Sequence, residues 1–171
     1  MRVKEIKLYQ FNELSDAAKE VAIDKNREIN VDCQWWEFTY QDAKIIGLKI
    51  SGFGLDRNRQ ATGELLLSVN EVAQNIFNEH GETCETYKTA ANFMQEWQPI
   101  FNDYMDSCSE NYESSEHENT LQELEDSFLN DLLEDYSVIL QNEYEYLTSE
   151  ESIAETLIAN EYEFTQDGKM D

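Results

Sequence analysis

The chain has 171 residues and a formal net charge of −25, from 37 Asp and Glu against 12 Lys and Arg. This acidity excludes direct electrostatic binding to nucleic acid or to anionic membrane, because both are polyanions. Three cysteines without a paired motif exclude a disulfide framework and a cysteine zinc site. The chain shows no apolar run long enough for a signal peptide or a membrane span, which predicts a cytoplasmic protein.

The charge is distributed unevenly along the chain. Residues 1–59 carry ten Lys and Arg against ten Asp and Glu, whereas residues 60–171 carry two against 27. Apolar residues make up 40% of the chain, which favours a folded acidic half over a disordered tail. We predict a charge-balanced α+β portion with a hairpin at 1–69 and an acidic, mainly helical portion at 70–171, with one continuous fold as the alternative.

The first half contains predicted strands and two helices. Alternation over Val3–Tyr9 predicts a half-buried strand. Ser15 is a predicted N-cap for a helix whose apolar residues recur as far as Ile29. A second helix is expected from about Cys33 to Ile46, with Gly47 as its stop.

After Gly47 the apolar residues change from helical spacing to alternation with polar residues. Leu48, Ile50 and Phe53 alternate with polar residues, and a second apolar run covers Gly63–Val69. Turn residues over 54–58 separate the two runs, which predicts an antiparallel hairpin.

The second half is helical in pattern. Apolar spacing predicts one helix that ends at Gly81, and another around Phe93–Tyr104 that Pro99 either kinks or divides. Residues 106–119 are expected to form an exposed connection. The remaining predicted elements are a long helix over 120–147, a short helix over 148–160 and a last strand over 161–165. The fold class is therefore α+β, with a small antiparallel sheet packed with helices and an extended acidic helical portion.

The long helix carries the strongest functional pattern. Glu123, Glu134 and Glu145 recur every eleven residues and so lie within about 20° on one helix face, roughly 16 Å apart. Other carboxylates fill the positions between them: Glu116, Asp126, Asp131 and Asp135. A solvated helix face is the ordinary explanation for a charge run, but such faces usually mix signs. The segment 89–168 has 21 acidic residues and no Lys or Arg, which favours a surface that mimics nucleic acid and predicts that stability rises with salt.

Several segments together resemble a family of small acidic proteins of tailed bacteriophages and prophages. They are Lys7–Tyr9, Phe11–Ser15, Trp35–Phe38, Asp42–Ile50, Cys84–Ala90 and Glu143–Ser149. Members of that family are often labelled as antitoxins of toxin–antitoxin stability systems. The resemblance implies a phage-borne accessory protein in the cytoplasm of a bacterial host cell, and it brings no catalytic motif.

Three hypotheses for function follow. The first is a phage inhibitor that blocks a basic nucleic-acid-binding defence protein of the host, such as a CRISPR effector or a restriction enzyme. The second is an antitoxin that masks a co-encoded basic toxin. The third is an enzyme, although no catalytic motif supports it. The partner is thus expected to be a basic protein, without direct contact to nucleic acid or membrane.

Other candidate sites are weaker. Trp36 and Tyr40 fall on the buried stripe of their predicted helix, which leaves Trp35 as the expected exposed aromatic and a candidate partner anchor. Arg57 and Arg59 on the hairpin turn are candidates for binding an acidic group or for balancing local charge.

No cofactor or metal site is predicted. His80 and His117 lie far apart and are expected at the surface, and the Gly52–Gly54 stretch lacks the third glycine of a dinucleotide site. Four acids have the chemistry of calcium ligands, but the twelve-residue loop with a central glycine is missing; they are Asp103, Asp106, Glu110 and Glu113.

Overall fold

The computed structural model describes residues 7–55, 59–109 and 115–170, without the side chains of residues 107–109, 115 and 116. In order, the elements of this part are β1 (Tyr9–Gln10), a 3-10 helix (Phe11–Glu13), α1 (Asp16–Lys25), α2 (Glu37–Ile46), β2 (Leu48–Gly54), β3 (Gln60–Leu65), α3 (Val69–Glu79), α4 (Glu85–Ser109), α5 (Ser115–Leu147), α6 (Glu150–Ala159) and β4 (Glu163–Phe164). Both sheets are antiparallel and two-stranded, which confirms the predicted α+β class. Among the described helices, none combines the length and the apolar character that crossing a membrane requires.

The chain divides into two compact units. Unit 1 contains Met1–Trp35 and Asn142–Asp171, and unit 2 contains Trp36–Gln141. The boundary expected after residue 69 lies inside unit 2, at the first residue of α3. The division differs because charge does not follow packing: Leu48 and Ile50 of the charge-balanced half share one buried cluster with Phe128 and Leu132 of the acidic half.

Unit 1 joins the two ends of the chain. β1 pairs with β4, with Tyr9 opposite Phe164, and this confirms a last strand in a shorter form than expected. The first strand begins at Tyr9, and the earlier part of its predicted range, residues 3–6, lies outside the described residues. Ser15 caps α1 as predicted, and its hydroxyl accepts a hydrogen bond from the Ala18 backbone N–H at 3.4 Å. The helix ends at Lys25 and does not reach Ile29.

Unit 2 begins with α2 and the hairpin. The start expected at Cys33 is wrong, because α2 begins at Glu37, but Gly47 ends it as predicted, with a φ of +94° that favours glycine. The antiparallel hairpin of β2 and β3 is confirmed, with Leu48 opposite Leu65. β3 covers Gln60–Leu65 and so lies earlier in the chain than the apolar run at 63–69 that predicted it, while residues 56–58 of the predicted turn lie outside the described residues.

The helices α3 to α5 complete unit 2. α3 ends at Glu79, two residues before Gly81. α4 is continuous through Pro99, so the interpretation as two helices is wrong. The apolar stripe of α4 continues past the proline, because Trp97 is buried and Phe101 is half-buried beside the same core. The exposed connection expected at 106–119 is wrong at both ends, since residues 106–109 belong to α4 and residues 115–119 to α5, and residues 110–114 lie outside the described part.

Candidate partner-binding site

The predicted acidic residues of unit 2 lie on the outer side of α5. Glu123, Asp126, Asp131 and Glu134 are exposed, and Asp135 is half-buried. We call these five residues the acidic surface. The opposite side of α5 is apolar and faces the core through residues that are at least 90% buried: Leu121, Phe128, Leu132 and Tyr136. One helix therefore holds both the core contact and the charge.

Two further predicted members are not part of this surface. The side chain of Glu116 lies outside the described part of the chain. Glu145 is exposed, but it belongs to the end of α5 that is assigned to unit 1.

No Lys or Arg of the described ranges pairs with the acidic surface. Among the described residues, the ion pairs of Lys and Arg are those of Arg27 with Asp24 and Glu150, Lys49 with Glu64, Lys88 with Glu85, and Lys169 with Asp167. The one further contact of this kind joins His80 to Asp42. None of them contains a member of the acidic surface. Unit 2 as a whole has 21 Asp and Glu against five Lys and Arg, so its formal charge is −16. The negative potential of the surface is therefore available to a partner.

Neutral donors on α4 hold carboxylates on α5. The Tyr104 hydroxyl donates to Glu118 at 3.0 Å, the Trp97 indole N–H donates to Glu125 at 3.1 Å, and the Thr89 hydroxyl donates to Asp135 at 2.7 Å. A neutral donor fixes the direction of a carboxylate without cancelling its charge, whereas a Lys or Arg would do both. The arrangement keeps negative charge at defined positions.

The sequence analysis did not predict these three bonds, although the residue spacing of two of them gives a signal. Tyr104 and Trp97 are seven residues apart on α4, and Glu118 and Glu125 are seven residues apart on α5. Seven residues are about two helical turns, so an antiparallel helix pair brings each donor opposite one carboxylate.

Asp135 has an altered acidity. Burial raises the pKa of this carboxyl above its usual range, and the nearby charges of Glu85, Asp131 and Glu134 raise it further. The hydrogen bond from Thr89 acts in the opposite direction. A pKa raised in the folded state means that the ionised carboxylate destabilises unit 2 above the unfolded-state pKa, and that this cost disappears as the pH falls below it.

Replacing Asp135 by Asn is therefore expected to stabilise unit 2 at neutral pH. Asn keeps an acceptor for Thr89 and removes one like charge, so we expect a gain of about 0.5 kcal/mol. Urea unfolding at pH 7 and at about pH 3 measures the change in the free energy of unfolding. The gain should vanish at the lower pH, where the carboxyl of the wild type is protonated in both states. Glu134→Asn is the matched control, since Glu134 is exposed, and an equal or greater gain from the control would contradict the role of burial.

The spacing of charge on α5 is similar to that of a nucleic-acid strand. From Glu123 to Asp135 there are six carboxylates, the five of the acidic surface and Glu125, over about 18 Å of helix axis, which is a mean axial spacing of roughly 3.6 Å. One strand of duplex DNA has one phosphate per about 3.4 Å of axis. Chemically, the surface is suited to bind a row of Lys and Arg side chains.

Comparison with protein families, with characterised proteins and with solved structures found no match to this chain.

The aromatic anchor predicted from the sequence is wrong. Trp35 was expected to be exposed, but it is 9% exposed and packs against Tyr144 within unit 1, at 5.7 Å between ring centroids. The reason is that α2 begins at Glu37, so Trp35 precedes the helix whose spacing was used to place it. Phe38 is the aromatic residue that α2 exposes, at 79%.

His80 was expected at the surface, but its side chain is largely buried. Its side chain is 10% exposed, with Nδ1 at 2.7 Å from the Thr86 hydroxyl and Nε2 at 3.5 Å from an oxygen of Asp42. The Tyr136 hydroxyl donates to the same Asp42 oxygen at 2.8 Å. The series Thr86, His80 and Asp42 resembles a catalytic nucleophile, its general base and the carboxylate that orients the base. Thr86 is only 3% exposed, however, so its hydroxyl is closed to a substrate. The cluster joins α2, α4 and α5 to the residue that follows α3.

The cluster also gives unit 2 a dependence on pH. His80, as a hydrogen-bond partner, holds the pKa of Asp42 below its usual range, and Tyr136 adds to this against the effect of burial. A depressed pKa stabilises the fold above the unfolded-state pKa, and this contribution is lost as the pH falls below it.

The weaker candidates are not brought together as ligands. Asp103 and Asp106 are exposed on α4, whereas Glu110 and Glu113 lie outside the described residues. Within the described ranges, no group of three His, Cys, Asp or Glu is placed to hold a metal ion. Gly52 and Gly54 lie in β2 and not in a loop before a helix. Arg59 is exposed, and Arg57 lies outside the described part.

Proposed function

We propose that the chain is an inhibitor of phage type that occupies the nucleic-acid-binding site of a basic host defence protein with its acidic surface. The observation that carries this proposal is the set of carboxylates on α5 from Glu123 to Asp135, which form no ion pair with described residues and whose mean axial spacing is close to that of the phosphates of one strand. The phage context and the cytoplasm of a bacterial host come from the family resemblance alone.

The energetic cost of the surface supports a role in binding. Asp131 and Asp135 are four residues apart on α5, and Glu123 and Asp126 are three apart, so like charges are neighbours. Each such pair costs a few tenths of a kcal/mol. A cation in place of either residue would remove this cost, so stability alone does not account for the pattern.

A capture experiment tests the proposal. The full chain, immobilised and exposed to an extract of a bacterial host, should bind basic proteins, and duplex DNA should release them by competing for the same site. Capture should also weaken at least about tenfold between 50 and 200 mM salt, because the attraction is screened.

The result that contradicts the proposal is capture that neither duplex DNA nor salt reduces. Capture of one basic RNase encoded beside this chain, released by salt but not by DNA, would instead support the antitoxin hypothesis. An uncharged polymer of similar length to the duplex is the control for crowding.

A further inference from the structure

Unit 2 contains a cleft of about 390 Å³ that is lined by residues of α3, α4 and α5. Ser68 and Asn70 line it from the start of α3, Trp97, Gln98 and Phe101 line it from α4, and Glu125 lines it from α5. We call it the aromatic cleft. Its volume lies in the range of about 300–1,000 Å³ that is common for ligand sites.

The aromatic wall of the cleft is formed by two stacked rings. Phe101 is half-buried, and its ring stacks on that of Trp97 with centroids 4.3 Å apart and planes 14° from parallel. An aromatic ring face attracts a cation through its quadrupole, and the attraction grows when water is excluded. The wall is therefore suited to a flat cation.

Glu125 supplies the one formal charge among the lining residues. Its Oε1 accepts the hydrogen bond of the Trp97 indole N–H at 3.1 Å, and it forms no ion pair with a described cation. The second carboxylate oxygen remains as an acceptor. A carboxylate fixed in this way can pair with a guanidinium in a defined geometry.

The polar groups of the cleft favour a donor ligand over an anion. Gln98 uses its amide N–H to donate to Asn102 at 3.0 Å, which leaves its carbonyl oxygen as an acceptor. The start of α3 would attract an anion, but Glu71 already occupies that position, accepting from the Ser68 backbone N–H at 3.1 Å and from the Ser68 hydroxyl at 2.7 Å.

We propose that the aromatic cleft binds the guanidinium group of an arginine side chain presented by the basic partner. The proposal rests on the proposed function and adds a specific anchor to it. Arginine fits better than lysine, because a planar guanidinium can stack on Phe101 while its N–H groups pair with Glu125.

Titration with N-acetyl-arginine methylamide tests the cleft without any partner protein. The indole N–H signal of Trp97, followed by NMR on the full chain at constant ionic strength, should shift and saturate, because its acceptor Glu125 gains a second donor. The neutral isostere N-acetyl-citrulline methylamide should bind at least about tenfold more weakly. Equal binding of the two compounds, or no shift by about 50 mM of the arginine compound, would overturn the proposal.

Two matched variants locate the binding. Glu125→Gln keeps an acceptor for Trp97 but removes the charge, and it should weaken arginine binding about tenfold. Glu82→Gln removes an exposed charge of unit 2 outside both the cleft and the acidic surface, and it should change the affinity by less than about twofold. Wild-type affinity in Glu125→Gln would overturn the cleft proposal alone, whereas failure of the proposed function would appear as capture that survives reversal of the acidic surface.

Discussion

Reversal of Glu123, Asp126, Asp131 and Glu134 to Lys is expected to reduce capture of basic proteins by about a hundredfold or more. Each substitution replaces an attraction for a partner cation with a repulsion. The four side chains are exposed and form no ion pair with a described residue, so the fold does not depend on them. Capture is measured as the affinity for a purified basic protein recovered from the extract.

The control has the same total charge in a different place. Reversal of Glu20, Glu28, Glu155 and Glu163 to Lys changes four exposed carboxylates of unit 1. It lowers long-range attraction equally, so we expect a loss of only about tenfold or less. A similar loss from both variants would mean that net charge alone governs binding and that α5 has no special role.

The sequence was sufficient to predict secondary structure wherever residues close in the chain determine it. Gly47 ends α2 because its φ of +94° favours glycine, and Ser15 begins α1 because its hydroxyl satisfies a free backbone N–H. Pro99 shows the limit of local rules. Its cost to the helix is local, but the packing of Trp97 and Phe101 on the core of unit 2 keeps α4 continuous.

The candidate site was only partly predictable for a similar reason. Periodicity places Glu123 and Glu134 on one face of a helix without knowledge of any neighbour. It cannot show that Trp97 donates to Glu125 or that Thr89 donates to Asp135, since these bonds depend on the register of α4 against α5. Trp35 was misplaced because the prediction depended on a helix start that was four residues too early.

Replacing Phe128 by Ala is expected to lower the free energy of unfolding of unit 2 by about 3–5 kcal/mol. Phe128 is 1% exposed on the apolar side of α5, and its ring stacks on Phe93 of α4 with centroids 4.1 Å apart. The variant leaves a cavity and removes the aromatic pair that holds the two helices together. Urea unfolding, followed at the Trp97 indole N–H, should show a midpoint lower by about 1–3 M.

Phe38→Ala is the control for this loss, because it deletes the same atoms from a side chain that is 79% exposed. Its cost should stay within about 0.5 kcal/mol. If the acidic surface depends on the packing of α4 against α5, Phe128→Ala should also weaken capture of basic proteins under conditions where unit 2 remains folded, because Thr89 of α4 then holds Asp135 less firmly. Unchanged capture by a Phe128→Ala variant would show that the charges act without fixed positions, and it would remove the argument that the bond from Thr89 arranges Asp135 for a partner.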